Sequence, residues 1–137
     1  RSNSMKYDIL IVDDEDIIIK LVRYLIIKSN LHEDPKGFLT GQEALEYLSL
    51  QHGNPMPQIV LLDINMPTMD AWGFLDTFQM IEENSKKHFL ISIITSSIDS
   101  ADRTRAFLYP DVLDYIQKPL SGKHVIDFLV RHDLYEE

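Results

Sequence analysis

Four short apolar runs of this chain lead into side chains that can do chemistry. Ile9–Val12 runs straight into Asp13, Asp14, Glu15 and Asp16, Ile59–Leu62 ends on Asp63, Phe89–Ile94 ends on Thr95, and Val112–Ile116 is soon followed by Lys118. Taken singly, each has an ordinary explanation: helix caps, a turn-forming Asp, a β-branched strand residue, a solvated loop lysine. Together at strand ends they ask for more. Two carboxylates about 4 Å apart repel by roughly 4 kcal/mol at an effective dielectric near 20, so solvent, a helix N-terminus or a cation must offset the cost. Aspartate oxygens are hard ligands, and Mg2+ takes one or two carboxylates while keeping several waters. A cation held by Asp13, Asp14 and Asp63 would keep Asp63 ionised and neutralise an incoming phosphoryl group, with Lys118 as a second positive charge. Thr95 and the main-chain N–H groups just past the strand ends, at Ile64, Asn65 and Ser96, would contact the phosphoryl oxygens. A carboxylate nucleophile that forms an aspartyl phosphate is an established kind of covalent catalysis, and phosphoryl transfer asks for little beyond positioning and charge.

These groups need a scaffold that brings strand ends to one rim. Weaker apolar runs at 37–40 and 112–116 join the three strong ones, giving five strand candidates. Helical spacing fills the gaps between them. In 16–29 the set Ile18, Leu21, Val22, Leu25 and Ile26 follows one helical face. Thr40 with Glu43 three residues on signals a second helix start. Residues 71–84 place Trp72, Phe74, Leu75, Phe78 and Ile81 at helical spacing, 99–108 is a weaker polar helix, and Ser121 caps a last one carrying Val125, Ile126, Leu129 and Val130. Five strands and five helices in strict alternation predict one α/β domain, a parallel sheet covered by helices on both faces. In such sheets ligands bind outside the carboxyl ends of the strands.

Composition narrows the function further. The chain has 137 residues, 45 % apolar and 26 % charged, with a net charge of −9. That balance fits a single globular domain, and the acidity argues against a nucleic-acid surface, which needs clustered Lys and Arg. No apolar run is long enough to span a bilayer, so no membrane partner is expected. The absence of cysteine fits a reducing cytoplasm. Residues 1–4 read as an artificial leader to a native start at Met5, and the domain is expected to run 5–137. No glycine-rich phosphate loop follows the first strand, which removes nucleotide-binding and flavodoxin-type readings. The histidines at 32, 52, 88, 124 and 132 lack metal-ligand spacing and read mostly as surface residues.

The motifs "ILIVDDE", "IVLLDINMP", "IITSS" and "YIQKPL", in this order, resemble the receiver domains of two-component response regulators from about Lys6 to His132. The resemblance implies a doubly wound, flavodoxin-like sheet in the order 2-1-3-4-5. It makes Asp63 the phosphoacceptor and Asp14 the direct Mg2+ ligand. Asp13 would act mainly through metal-bound water, and Asn65 would supply a main-chain carbonyl to the metal. Thr95 becomes the hydroxyl that moves toward the phosphoryl group, with small Ser96 leaving room. Lys118 becomes the partner of Asp63, ahead of a cis bond to Pro119, and Tyr115 the aromatic that reports the switch. A histidine kinase or a histidine phosphotransfer protein would be the donor, and an unidentified downstream protein the receiver of the signal.

Two departures from the family pattern stand near the site. Ala71 occupies a turn where the family usually has glycine, so a positive φ there would strain it. The interval from Thr95 to Lys118 is 118 − 95 = 23 residues, one more than the common pattern, which predicts an altered loop at Tyr109–Asp111. The expected function is a stand-alone signalling switch, not a turnover enzyme. Its rivals are a receiver cut from a longer regulator, a phosphorylation-independent pseudo-receiver, and a metal-dependent phosphatase. Against a haloacid-dehalogenase-type phosphatase stands Asn65, where that chemistry wants a second Asp.

Overall fold

A strand with no polar face has to be covered twice, and the first and third strands are buried along almost their whole length. The computed structural model describes residues 7–51, 53–64, 71–81, 88–97 and 99–134. Among them β1 (Asp8–Val12), β2 (Lys36–Phe38), β3 (Gln58–Asp63), β4 (Phe89–Thr95) and β5 (Val112–Gln117) form one sheet in the order β2-β1-β3-β4-β5. Every pairing is parallel. The helices are α1 (Asp16–Lys28), α2 (Gly41–Ser49), α3 (Ala71–Gln79), α4 (Ser100–Ala106) and α5 (Gly122–Arg131). The order, the parallel sense and the alternation agree with the sequence reading.

Alternate residues of each strand feed opposite cores, as the two-residue period requires. Leu10, Val12, Val60, Leu62, Ile91 and Ile93 pack with Ala44, Leu48, Phe74, Leu75 and Phe78 under α2 and α3. On the other face Ile9, Ile11, Ile59 and Leu61 pack with Ile19, Val22 and Ile26 of α1 and Val125, Phe128 and Leu129 of α5. Helix starts follow the local signals. The Thr40 hydroxyl accepts from the Glu43 amide, and the Ser121 hydroxyl from the His124 amide. His124 completes the second cap by accepting the Ser121 amide on Nδ1 at 3.1 Å, a role that the surface reading of this histidine did not include.

β2 runs so close beneath α1 that position 37 has no room for a side chain. A Cβ on Gly37 would stand 2.4 Å from Ile19 Cγ2, an atom fixed at the branch of a buried side chain. Gly37→Ala is therefore expected to destabilise the fold by about 1–3 kcal/mol through overpacking, read as a lower urea midpoint with unchanged slope. An unchanged midpoint would mean that β2 shifts freely at the sheet edge.

Two expectations are refined here. The Tyr109–Asp111 segment is a turn closed by the Val112 amide on the Tyr109 carbonyl at 3.1 Å, and β5 carries a bulge: Ile91 pairs with Val112, but the next residue, Ser92, pairs with Asp114, leaving Leu113 out of the pairing. Val112 and Tyr115, three apart, consequently face the same core, while Leu113 joins the other. Ala71 is the first residue of α3 and fully buried, a right-handed position that alanine fills without strain. The expected 71–84 helix ends at Gln79, and positions 82–87 lie outside the described residues.

Candidate functional site

Parallel register lines up the carboxyl ends of the five strands. Val12 pairs with Phe38 and Leu62, Asp63 with Ile94, and Thr95 with Gln117. The residues that follow therefore meet on one rim. Asp13, Asp14 and Asp63 each bring a carboxylate oxygen within 4.8 Å of the others. Asp13 and Asp63 are nearly buried, 2 % and 7 % exposed, whereas Asp14 faces solvent. The main chain sets Asp13: its amide donates to the Phe38 carbonyl at 3.1 Å, and its Oδ1 accepts the Glu15 amide at 2.9 Å.

Lys118 reaches this cluster because β4 holds the loop after β5. Its amide donates to the Thr95 carbonyl at 2.7 Å, and the bond to Pro119 is cis. The ammonium bridges two carboxylates, at 3.0 Å from Asp13 Oδ2 and 3.4 Å from Asp63 Oδ1. Lys118 thus pairs with Asp63, as the resemblance implied, and with Asp13 more closely still. Burial lowers the lysine's pKa, but the hydrogen bond to Asp13 and the two negative charges more than offset this, so the net shift is upward. Asp63 behaves oppositely. Burial, then the charge of Asp13, lift its pKa to about 6, with Lys118 only partly countering.

This donor set fits a small divalent cation. All the candidate ligand atoms are carboxylate oxygens, one carboxylate is open to solvent, and Lys118 alone leaves Asp63 under-compensated. Asn65, expected to add a main-chain carbonyl and an N–H, lies outside the described residues. Ile64 is buried and its carbonyl accepts the Ala71 amide at 3.0 Å, while Ser96 is exposed at the end of β4.

Thr95 is fully buried, and its Oγ1 accepts the Ser97 amide at 3.0 Å. Tyr115 packs its ring partly against the α2–α3 core, and its hydroxyl is buried beside that of Ser97, with no closer hydrogen-bond partner among the described residues. Burial, then the charge of Asp102, raise this phenol's pKa, with the neighbouring Ser97 hydroxyl pulling it partly back.

Sequence reasoning missed contacts that only tertiary structure creates. Trp72 is stacked on Tyr109 with ring centroids 6.2 Å apart, Arg105 lies 4.2 Å over its ring, and the Tyr109 hydroxyl donates to Asp76 at 2.6 Å. His32, read as a surface residue, is buried at the opposite end of the sheet. Its Nδ1 accepts the Asp34 amide at 2.9 Å, and its Nε2 faces Asp8 at 3.5 Å.

Comparison with known proteins agrees with this geometry. The model of the response regulator receiver domain matches residues 9–129. Among curated proteins, the chain is 27 % identical over 133 residues to the sensor histidine kinase CheAY of Helicobacter pylori, covering 96 % of this chain and 15 % of that one. It is 36 % identical over 121 residues to the probable transcriptional regulator ycf27 of Guillardia theta, covering 88 % of this chain and 42 % of that one. The chain therefore spans less than half the length of either relative. A two-component response regulator from Cytophaga hutchinsonii superimposes with a TM-score of 0.83 at 26 % identity, covering 97 % of this chain and all of that one. A buried acidic rim at the carboxyl edge of a 2-1-3-4-5 sheet, matched over nearly its whole length, makes this chain a member of the response regulator receiver domain family, the phosphorylation-activated switches of two-component signalling.

Proposed function

We propose that Asp63 accepts a phosphoryl group from a phosphohistidine on a sensor kinase or histidine phosphotransfer protein. The observation that carries this reading is the convergence of Asp13, Asp14 and Asp63 within 4.8 Å, with Lys118 bridging two of them. An Asp63 carboxylate oxygen attacks phosphorus, the P–N bond breaks as the P–O bond forms, and the donor imidazole keeps the electron pair and takes up a proton. Asp63 has to be ionised to attack, which its pKa of about 6 allows at neutral pH. Asp13, Asp14 and Asp63, with the Asn65 carbonyl, would hold Mg2+, which when bound offsets charge on the phosphoryl oxygens. Lys118 adds a fixed positive charge beside the acceptor. Thr95 and the amides at Ile64, Asn65 and Ser96 would hold the phosphoryl oxygens.

The phosphorylated state is a signal, and its slow hydrolysis resets the domain in the cytoplasm. Phosphorylation adds charge at the rim and draws the Thr95 hydroxyl toward it, with Tyr115 and α4 as the responding element. The output surface is then α4, β5 and α5, where exposed Leu108 and Val130 suit a downstream protein. The net charge of −9 disfavours a nucleic-acid partner.

Incubation with Mg2+ and acetyl phosphate, followed by intact mass, is the direct test. One labile phosphoryl adduct is expected on the wild type, none after chelation of Mg2+ and none on Asp63→Asn. No adduct on the wild type, together with failure to bind beryllofluoride, would make the domain a phosphorylation-independent interaction module.

A further inference from the structure

The segment between β5 and α5 is pinned at both ends, and one of the two pins can titrate. At the front the Lys118 amide donates to the Thr95 carbonyl at 2.7 Å. Three residues on, the Ser121 amide donates to His124 Nδ1 at 3.1 Å, while the Ser121 hydroxyl accepts the His124 amide at 3.3 Å. A main-chain N–H can only donate, so Nδ1 must offer its lone pair, and the imidazole is held neutral with its proton on Nε2. The usual residue at this place in a capping box is Glu or Gln, whose oxygens accept at neutral pH; histidine fills the role only while it is unprotonated. A proton on Nδ1 would set two N–H groups against each other. It would also put positive charge at a helix N-terminus, where the macrodipole opposes it.

The surroundings do not reverse this preference. His124 lies in a groove with Asp114, Tyr115 and Gln117 of β5 and with Asp127 and Arg131 of its own helix. Both carboxylates there are already paired, Asp127 with Lys123 at 2.8 Å and Asp114 with Arg131 at 2.5 Å. From α1, uncharged Ser29 lies against Gly122 on the same turn.

We propose that the Ser121–His124 capping box is a pH-sensitive latch on the start of α5, closed while the imidazole is neutral and released when it takes up a proton. Histidine ordinarily changes charge between pH 5 and 8. The unfolded chain has no cap to lose, so it binds this proton more readily than the folded chain. The latch therefore contributes stability on the alkaline side that is lost as pH falls. Release frees the Ser121 amide and the first turn of α5, and leaves the Lys118 segment pinned through Thr95. The rest of the helix stays on the core through Val125, Phe128 and Leu129, so the change is local. Asp63 acts in the opposite direction over the same pH range, and the latch shows as a difference between variants that share Asp63.

Thermal unfolding of the full chain from pH 5 to 8, without Mg2+ or any phosphodonor, tests this with two variants. His124→Gln keeps an oxygen that caps without titrating, and His124→Ala has no side-chain acceptor. Near pH 8 the wild type and His124→Gln should unfold together, with His124→Ala about 2–4 °C lower, the loss expected of one cap. Near pH 5 the wild type should fall to the level of His124→Ala, while His124→Gln keeps its lead. Amide exchange at 121–125, compared between variants at the same pH, should be roughly fivefold faster in the wild type than in His124→Gln at pH 5 and equal at pH 8. The latch is overturned if the wild type keeps the same gap above His124→Ala at both pH values, or if it matches His124→Ala already at pH 8. It is overturned equally if the wild type and His124→Gln exchange alike at pH 5. A glutamine that fails to cap would unfold with His124→Ala throughout, and the gap between wild type and alanine then decides alone.

Discussion

Asp63→Asn is expected to make the metal-free protein more stable at neutral pH, although it removes the residue on which the proposed function turns. Burial and the neighbouring Asp13 charge raise the Asp63 pKa from 3.8 to about 6. Between those values the folded chain binds a proton that the unfolded chain has already released. Stability of the wild type therefore falls as pH rises through this window, and the loss is complete above about pH 6. A shift of about two units corresponds to about 3 kcal/mol, or roughly 6–12 °C in Tm for a domain of this size. Asparagine carries no charge to desolvate, so the variant should lie above the wild type at pH 7 and converge with it near pH 4. Adding Mg2+ should close the gap from the other side by stabilising the wild type. Thermal unfolding from pH 4 to 8, with chelator and with Mg2+, reads both effects. Parallel pH profiles for the two proteins would show that Asp63 is not desolvated as its setting in the rim implies.

The parts of this molecule legible in the sequence were those set by local chemistry. Ile9–Val12 and Ile59–Leu62 have no polar alternation, which only two-sided burial satisfies, and that placed Asp13 and Asp63 at strand ends before any coordinates. Thr40 and Ser121 marked helix starts because a short hydroxyl is a good acceptor for a free helical amide. A count of residues between Thr95 and Lys118 revealed an extra one, but a count does not say whether a loop or a strand absorbs it. The bulge at Leu113 inside β5 leaves no mark in that count, and the facing of Tyr115 depends on it. His32 was misread for a related reason. Its burial rests on a tertiary partner, Asp8 at the start of β1, and on a local turn that accepts the Asp34 amide, neither of which leaves an apolar period in the chain. The Ser97–Asp102 bond is close in sequence, but the placing of Thr95 and Tyr115 beside it from two strands is a tertiary feature that no local pattern marks.

Lys118→Met should have an effect of similar size and opposite sign. The lysine's side chain is 20 % exposed and lies between two carboxylate side chains that are 3 % and 9 % exposed. Methionine keeps the unbranched apolar stem but leaves Asp13 and Asp63 facing each other with no cation. Removing one partner of a buried ion pair costs about 3–5 kcal/mol, because the remaining charge keeps its desolvation penalty. Part of that cost is avoidable here, since Asp63 already titrates at about 6 and would take up a proton more readily once Lys118 is gone. The loss should therefore be about 3 kcal/mol at pH 8 and markedly smaller at pH 5, where the protonated Asp63 no longer repels Asp13. Divalent cation replaces the missing charge, so Mg2+ should stabilise Lys118→Met more than it stabilises the wild type. Urea unfolding at pH 5 and pH 8, with and without Mg2+, separates these contributions. A loss independent of both pH and Mg2+ would mean that Lys118 contributes through packing of its stem, and that the charge balance of the rim is set elsewhere.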